Sequence, residues 1–289
     1  MAATFVVTLR EAFEAALLLG IVYTFLERIG ARAQWRYVTI GAGLGLLGSV
    51  LMGVALTYAS GPLLDVGPDV IAAVVIFAAV ALLTWHSWWM RRHASALRGE
   101  IVRRLEEARA ARRLWMVALI AFTGVFREGA ETVLFLWGLL AQASIGSWSG
   151  ITGGVLGVAV AAALGWAIFR GGRQVNVRTF FAVTTVILML VAAGLFSTGL
   201  GRLQALGVLP PSDAVWDTSA VLDDHGTVGG FLGALIGYRA RPSAVEVAGW
   251  LLYVLVAGTL VRRAGAPGDG DRPRTSAPSD SVERMLSRS

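Results

Sequence analysis

Seven apolar stretches, each long enough to cross a bilayer as a helix, dominate the sequence. About 20 apolar residues span the hydrocarbon core, and a helix satisfies its own backbone hydrogen bonds there. Only 15% of the residues are charged, compared with about 25% in soluble domains. The pattern therefore predicts an all-α polytopic membrane protein with seven transmembrane helices. The predicted helices cover residues 3–26, 37–59, 69–90, 114–141, 148–169, 179–200 and 245–261.

The distribution of arginine predicts the orientation of these helices. Most arginines lie after the first, third, fifth and seventh stretches, whereas the opposite loops hold only Arg202, Arg239 and Arg241. Because basic loops stay in the cytoplasm, we expect the N-terminus outside the cell and the C-terminus in the cytoplasm. The protein is thus expected in the cytoplasmic membrane, in contact with lipid. This placement accounts for the net charge of +6, and no nucleic-acid partner is predicted.

Two of the apolar stretches contain the same charged motif, Arg-Glu-x-x-Glu. It occurs at residues 10–14 as "REAFE" and again 117 positions later, at 127–131, as "REGAE". Each charge near the bilayer centre costs about 2.5 kcal/mol or more, so these residues need partners or a function. At about 100° per residue, the three charges of a motif share one helix face. If the first and fourth helices pack through these faces, four carboxylates and two guanidiniums meet.

The convergent carboxylates predict a binding site for a metal cation. Their oxygen atoms suit a hard cation, and the chain has no cysteine, which excludes thiolate sites. Two alternatives remain open: intrahelical salt bridges that fix helix packing, and a proton relay through the same glutamates. The predicted ligands are Glu11, Glu14, Glu128 and Glu131, with Arg10 and Arg127 as supporting charges.

The spacing of the motifs and of the small residues predicts an internal repeat. "GAGLG" at 41–45 resembles "GGVLG" at 153–157, and small residues let helices approach closely in lipid. The first three helices and the next three then form two copies of one unit that cross the membrane in opposite directions. The predicted fold is a 3+3 inverted repeat plus one helix. Such repeats are typical of transporters, with the substrate site at the repeat interface.

The predicted domain organisation has two repeats joined by a basic segment. Residues 1–90 form repeat 1, 91–113 a cytoplasmic basic linker helix, 114–200 repeat 2, 201–244 an external acidic loop, 245–262 the seventh helix and 263–289 a disordered cytoplasmic tail. Acidic side chains in the loop can collect cations; the alternative is an ordinary polar loop with capping aspartates. The capture candidates are Asp213, Asp217, Asp223, Asp224 and His225.

The tryptophan-rich end of the third stretch, "TWHSWWMRRH", contains two of the three histidines. Tryptophan is enriched where a membrane helix meets the polar headgroups. We therefore predict that His86 and His93 lie at the membrane interface and are not metal ligands.

The two motifs, within "REAFEAALLLGIV" and "REGAETVLFLWG", resemble the paired Arg-Glu-x-x-Glu motifs of the oxidase-dependent ferric iron permeases. That family has fungal high-affinity members and bacterial EfeU-type members. The resemblance extends over about residues 1–262 and implies that the motif glutamates bind iron during transport. The first motif departs from the common Arg-Glu-Gly-Leu-Glu at Ala12 and Phe13. We expect this departure to affect packing more than binding.

The resemblance implies a permease that moves Fe³⁺ into the cell through a glutamate-lined site between the first and fourth helices. Iron is then the substrate, no cofactor is permanently bound, and the protein is not an enzyme. The expected partner is a ferroxidase or a periplasmic iron-delivery protein. Two alternatives remain: a carrier for another hard or divalent cation such as lead or manganese, and a glutamate-dependent membrane enzyme.

Overall fold

The computed structural model describes residues 1–64, 68–110, 114–140, 147–169, 176–224 and 226–264. This part of the chain is nearly all helical and contains no strand, with a single bridged pair at Ala214 and Ser243. The predicted all-α class is confirmed. The α-helices are α1 (Ala2–Arg28), α2 (Trp35–Leu64), α3 (Pro68–Ala110), α4 (Leu114–Leu140), α5 (Ser147–Phe169), α6 (Val177–Ala205), α7 (Thr227–Ile236) and α8 (Ala244–Ala264), and a 3-10 turn covers Arg32–Gln34.

Five of the described helices are long and apolar enough to cross a membrane, namely α2, α3, α5, α6 and α8. The chain is therefore a multi-pass membrane protein. Helices α1 and α4 have 27 residues each, which is also a sufficient length, but they carry the charged motifs. Helix α7 has 10 residues and is too short to span the hydrocarbon core.

Helix α3 runs through both the predicted third span and most of the predicted linker helix. Its 43 residues extend over about 65 Å at 1.5 Å per residue, so it continues far beyond its apolar window, Val70–Met90. In the extension, Arg103 and Arg104 both pair with Glu100 at 2.8 Å. Leu105 is buried there among residues of α1, α2 and α4. Residues 111–113 and most of the predicted tail, 265–289, lie outside the described residues.

Two helix pairs make the closest contacts, α1 with α5 and α2 with α4. A methyl group on Gly157 of α5 would lie 2.7 Å from the carbonyl oxygen of Phe5. One on Gly45 of α2 would lie 2.8 Å from the carbonyl oxygen of Phe122. Phe5 and Phe122 are 117 positions apart, and Gly45 and Gly157 are 112 apart. In both pairs, a glycine at the equivalent position lets the backbone of the neighbouring helix come close.

A second contact repeats in both helix pairs, about two turns further along. Gly53 of α2 faces Val133, with 3.4 Å from its ideal Cβ position to the valine methyl. Gly165 of α5 faces Ala16, with 2.9 Å to the alanine Cβ. The two glycines are again 112 positions apart along the chain, and Ala16 and Val133 are again 117 apart. The two pairs therefore share one packing register along their length.

Residues 206–243 connect α6 to α8 and contain α7, which packs against α6 and α1. The Trp250 indole N–H donates to the carbonyl oxygen of Ile236 at 2.8 Å, which ties the end of α7 to α8. Ser243 and Glu246 form a capping box at the start of α8. The Ser243 N–H donates to Glu246 Oε2 at 2.9 Å, and the Glu246 N–H donates to Ser243 Oγ at 3.2 Å.

We expect Gly45→Leu and Gly157→Leu to destabilise the protein to a similar extent. Each added side chain must push a neighbouring helix backbone away, and overpacking of this kind costs about 1–3 kcal/mol. Gly43→Leu is the matched control, because no atom lies within 4 Å of its Cβ position. Thermal unfolding of the detergent-purified variants measures the effect. Equal melting temperatures for all three variants would contradict the packing described here.

Candidate metal centre

The motif of α1 lies inside the protein. The exposed fractions are 1% for Arg10, 0% for Glu11 and 6% for Glu14. Arg10 Nε donates to Glu14 Oε1 at 3.0 Å, which forms the predicted i,i+4 ion pair. This pair holds the Glu14 carboxylate in place, while both oxygens of Glu11 have no hydrogen-bond partner among the described residues.

The motif of α4 forms the equivalent ion pair but is more open. Arg127 Nε donates to Glu131 Oε1 at 3.1 Å, and Glu128 Oε1 lies 3.7 Å from the same nitrogen. The Arg127 side chain is 42% exposed, and its guanidinium lies 4.5 Å from the centre of the Trp89 ring. Glu128 is buried. The two motifs therefore share their internal pairing and differ in how exposed their arginines are.

The glutamates of the two motifs converge in space. Oxygen atoms of Glu11, Glu128 and Glu131 all lie within 4.8 Å of one another. Glu11 also belongs to a second such group with Glu14 and His86. The four glutamates predicted as ligands are thus brought together, with Glu11 common to both groups.

His86 of α3 lies within this cluster, a position that the sequence did not predict. Its Nδ1 contacts Glu131 Oε2, and its Nε2 lies 3.9 Å from Glu11 Oε2 and 3.8 Å from Glu14 Oε2. The residue is only 3% exposed and belongs to a group of potential ligands with Glu11 and Glu14, which the prediction of an interfacial, non-ligating His86 did not include. Its neighbour Trp85 is exposed, so the helix face, and not the local composition, decides the environment of His86.

Several buried polar atoms of the cluster lack hydrogen-bond partners among the described residues. They are both oxygens of Glu11, one oxygen each of Glu14, Glu128 and Glu131, Nε2 of His86 and Nη1 of Arg10. Leaving such an atom unsatisfied costs about 1–3 kcal/mol, and more for a charged group. Most of these atoms are acceptors, and a bound cation satisfies several acceptors at once. The arrangement is suited chemically to holding a metal ion with oxygen and nitrogen ligands.

Apolar clusters lie on both sides of the charged residues. Val7, Leu83 and Phe135 belong to one buried cluster, and each lies about one helical turn from a polar member of the site on its own helix. A second buried cluster, which includes Val22 and Val117, lies where α1 ends and α4 begins. The charged group is therefore enclosed between two apolar layers.

The structure uses two of the proposed capture aspartates within the segment between α6 and α8. Asp217 accepts hydrogen bonds from the Ser219 hydroxyl and N–H at 2.6 and 3.1 Å and pairs with Arg241. The Arg241 guanidinium and the Ser219 donors lower the pKa of the Asp217 carboxyl. Asp224 Oδ1 accepts from the Ala240 N–H at 2.6 Å. Both carboxylates thus fix the conformation of the segment.

The remaining proposed capture residues are Asp213, Asp223 and His225. The main-chain oxygens of Asp213 and Asp223 accept hydrogen bonds from Ala244 and Gly226. His225 lies outside the described residues. The groups of potential metal ligands found in the described part of the chain contain none of these aspartates. Cation capture by this segment stays a prediction.

Comparison with known proteins gives one consistent result. The profile of the iron permease FTR1 family matches residues 1–263. The protein named ferrous iron permease EfeU from Escherichia coli O157:H7 is 32% identical over 269 residues, which cover 91% of this chain and 96% of that protein. The protein of the same name from Shigella sonnei (strain Ss046) gives the same values. The putative inactive ferrous iron permease EfeU of Escherichia coli (strain K12) is 31% identical over 268 residues with the same coverage. No solved structure matches the chain.

The different burial of the two arginines predicts different effects of their removal. Arg10→Met leaves Glu14 as an uncompensated buried charge, which costs about 3–5 kcal/mol. Arg127→Met breaks a pair whose arginine is partly exposed, and such pairs contribute about 0–1 kcal/mol. We expect thermal unfolding in detergent to show a much lower melting temperature for Arg10→Met. The double variant Arg10→Met/Glu14→Gln should recover part of the loss, and equal losses for the two single variants would argue against this burial.

Proposed function

The chain belongs to the iron permease FTR1 family, and we propose that it carries iron into the cell through a site formed by Glu11, Glu14, Glu128 and Glu131. Family membership indicates a transporter for iron rather than an enzyme. The observation that carries the assignment of the site is the convergence of buried carboxylates from two helices, with several oxygens lacking a hydrogen-bond partner. In this proposal iron is the cargo and no cofactor is permanently bound.

We propose Fe³⁺ as the transported form. Carboxylate oxygens are hard ligands, and a trivalent ion gains more from a group of four carboxylates than a divalent ion does. Fe²⁺ is a second candidate, and two observations favour it. The similar proteins are named ferrous iron permeases, and the imidazole of His86 lies among the carboxylates.

We also propose that α1 and α4 cross the membrane, which gives seven spans with the N-terminus outside. Both helices have the length of a span, and their charged residues pair with each other instead of facing lipid. The positionally equivalent contacts of α5 with α1 and of α2 with α4 support an inverted repeat of 1–90 and 114–200. The site then lies at the repeat interface, where such transporters bind their substrates.

The proposed route leads from the external segment at 201–244 to the cytoplasmic side. A ferroxidase or a periplasmic iron-delivery protein is proposed to supply iron at the outer end. Iron then exchanges water for carboxylate oxygens. It leaves past the more open motif of α4, where Arg127 and Glu131 are partly exposed. Rocking of one repeat against the other opens each side in turn.

We expect Glu11→Gln and Glu131→Gln to lower iron uptake more than about tenfold, because each variant loses a charged ligand. Glu107→Gln is the control, since Glu107 pairs with Arg103 on the exposed extension of α3. Uptake of radiolabelled iron by cells with matched protein levels measures the effect. Uptake at the rate of the unmodified protein in both motif variants would rule out this site.

The oxidation state of the cargo can be determined with the purified chain in proteoliposomes. Iron is supplied as ferric citrate, either with a chelator specific for Fe²⁺ or with ascorbate as reductant. We expect uptake to continue in the presence of the chelator and to fall when ascorbate reduces the iron. Uptake that requires ascorbate and stops with the chelator would instead establish Fe²⁺ as the transported ion.

A further inference from the structure

We propose that Nε2 of His86 is a metal ligand of this site and that it makes the site selective for iron over Ca²⁺ and Mg²⁺. The inference rests on the proposed function, because it assumes that the glutamate cluster binds the transported ion. It adds a residue from a third helix, α3, to the two helices that carry the charged motifs.

The first reason is the position of the imidazole between the two motifs. Nδ1 contacts Glu131 of α4, while Nε2 faces Glu11 and Glu14 of α1 at 3.9 and 3.8 Å. The ring also makes an edge-to-face contact with Phe135, with ring centres 6.3 Å apart and planes at 84°. Each ring nitrogen therefore faces a different motif.

The second reason is the set of atoms that meet at Nε2. Nδ1 contacts the Glu131 carboxylate, and in the tautomer that carries its proton on Nδ1 the nitrogen Nε2 presents a lone pair to the carboxylates of α1. Nε2, Glu11 Oε2 and Glu14 Oε2 all lack a hydrogen-bond partner among the described residues, and at 3.8–3.9 Å none of them bonds to another. Three buried acceptors that converge in this way are satisfied by a shared cation. A histidine that binds a metal through one nitrogen and a carboxylate through the other is a common arrangement in metalloproteins.

The third reason is that carboxylate and imidazole ligands prefer different metal ions. Carboxylates alone suit Ca²⁺ and Mg²⁺ as well as iron, whereas imidazole is a ligand for iron and other transition metals and a poor one for Ca²⁺ and Mg²⁺. A site of glutamates only would therefore be inhibited by these abundant ions. A single nitrogen ligand raises the affinity for iron and leaves the affinity for Ca²⁺ nearly unchanged. His86 accordingly acts as a specificity-determining residue of the site.

His86 has one other role to be distinguished, that of holding Glu131 in position through Nδ1. Two substitutions separate the roles. His86→Asn places an amide N–H near the position of Nδ1 and removes the ligand at Nε2. His86→Gln places a polar atom near the position of Nε2 and removes the donor at Nδ1. A ligand role predicts that the asparagine variant loses selectivity, and a positioning role predicts that it behaves as the unmodified protein.

The first test is competition during uptake of radiolabelled iron into proteoliposomes, with Ca²⁺ or Mg²⁺ as competitor. Loss of an outer-shell partner of a metal ligand already costs about 10–100-fold in metal affinity, and loss of a direct ligand is expected to cost at least as much. We expect the ratio of the Ca²⁺ inhibition constant to the iron KM to fall at least about tenfold in His86→Asn. An unchanged ratio in a variant that still transports iron overturns this inference and leaves the proposed function intact. Absence of iron transport by the unmodified chain overturns the proposed function itself.

The second test detects the nitrogen ligand directly and does not depend on transport or on the folding of a His86 variant. The chain has three histidines, so His93→Gln/His225→Gln leaves His86 as the single imidazole. One equivalent of Cu²⁺ serves as the probe, and pulsed electron paramagnetic resonance detects the remote nitrogen of a bound imidazole. We expect this nitrogen signal in the double variant and its loss when His86→Asn is added. No signal in the double variant, or a signal that persists in the triple variant, would contradict the assignment.

Discussion

The pairing of Arg10 with Glu14 inside the helix bundle is the interaction on which the candidate site depends. A carboxylate held in an apolar environment without a counter-charge costs several kcal/mol. The arginine stands one turn away on the same helix and is almost fully buried with it. Arg127 and Glu131 repeat the arrangement on α4. Two arginines among four glutamates leave the carboxylates in excess, so the cluster attracts a cation and can also persist before one arrives.

Close helix packing gives these charges their neighbours. Gly157 and Gly45 bring α5 and α2 against the backbones of α1 and α4, and this fixes which faces of α1 and α4 remain for other contacts. Much of the outer surface of α2 and α5 is exposed and apolar, as expected for helices that face lipid. The charged faces of α1 and α4 consequently turn toward each other and toward α3. The small residues thus fix the orientation of α1 and α4 through close packing. The charged residues favour the same orientation, because they need polar neighbours.

The sequence predicted the features that have a high energetic cost and missed those that depend on a helix face. Glu11 and Glu128 were identified because charges in apolar stretches require an explanation. His86 was not identified, because a histidine beside tryptophans fits the membrane interface equally well. The side of α3 that it occupies is set by packing against α1 and α4, which composition does not encode. The sequence predicted a helix at 91–113 but not its continuity with the third span, since polarity marks the end of an apolar window and not the end of a helix.

The unequal exposure of the two motifs corresponds to one state of the proposed transport cycle. In α1 the ion pair is sealed, and an apolar cluster that contains Val7 and Phe135 lies toward the end where α1 begins. In α4 the arginine is partly exposed and rests on Trp89. If the two repeats exchange these environments, the α1 motif becomes the open one and the α4 motif the sealed one. The site then faces opposite sides of the membrane in the two states while the same glutamates hold the ion. The proposed inverted repeat makes this exchange possible, because two halves of similar structure can adopt either environment at similar energetic cost.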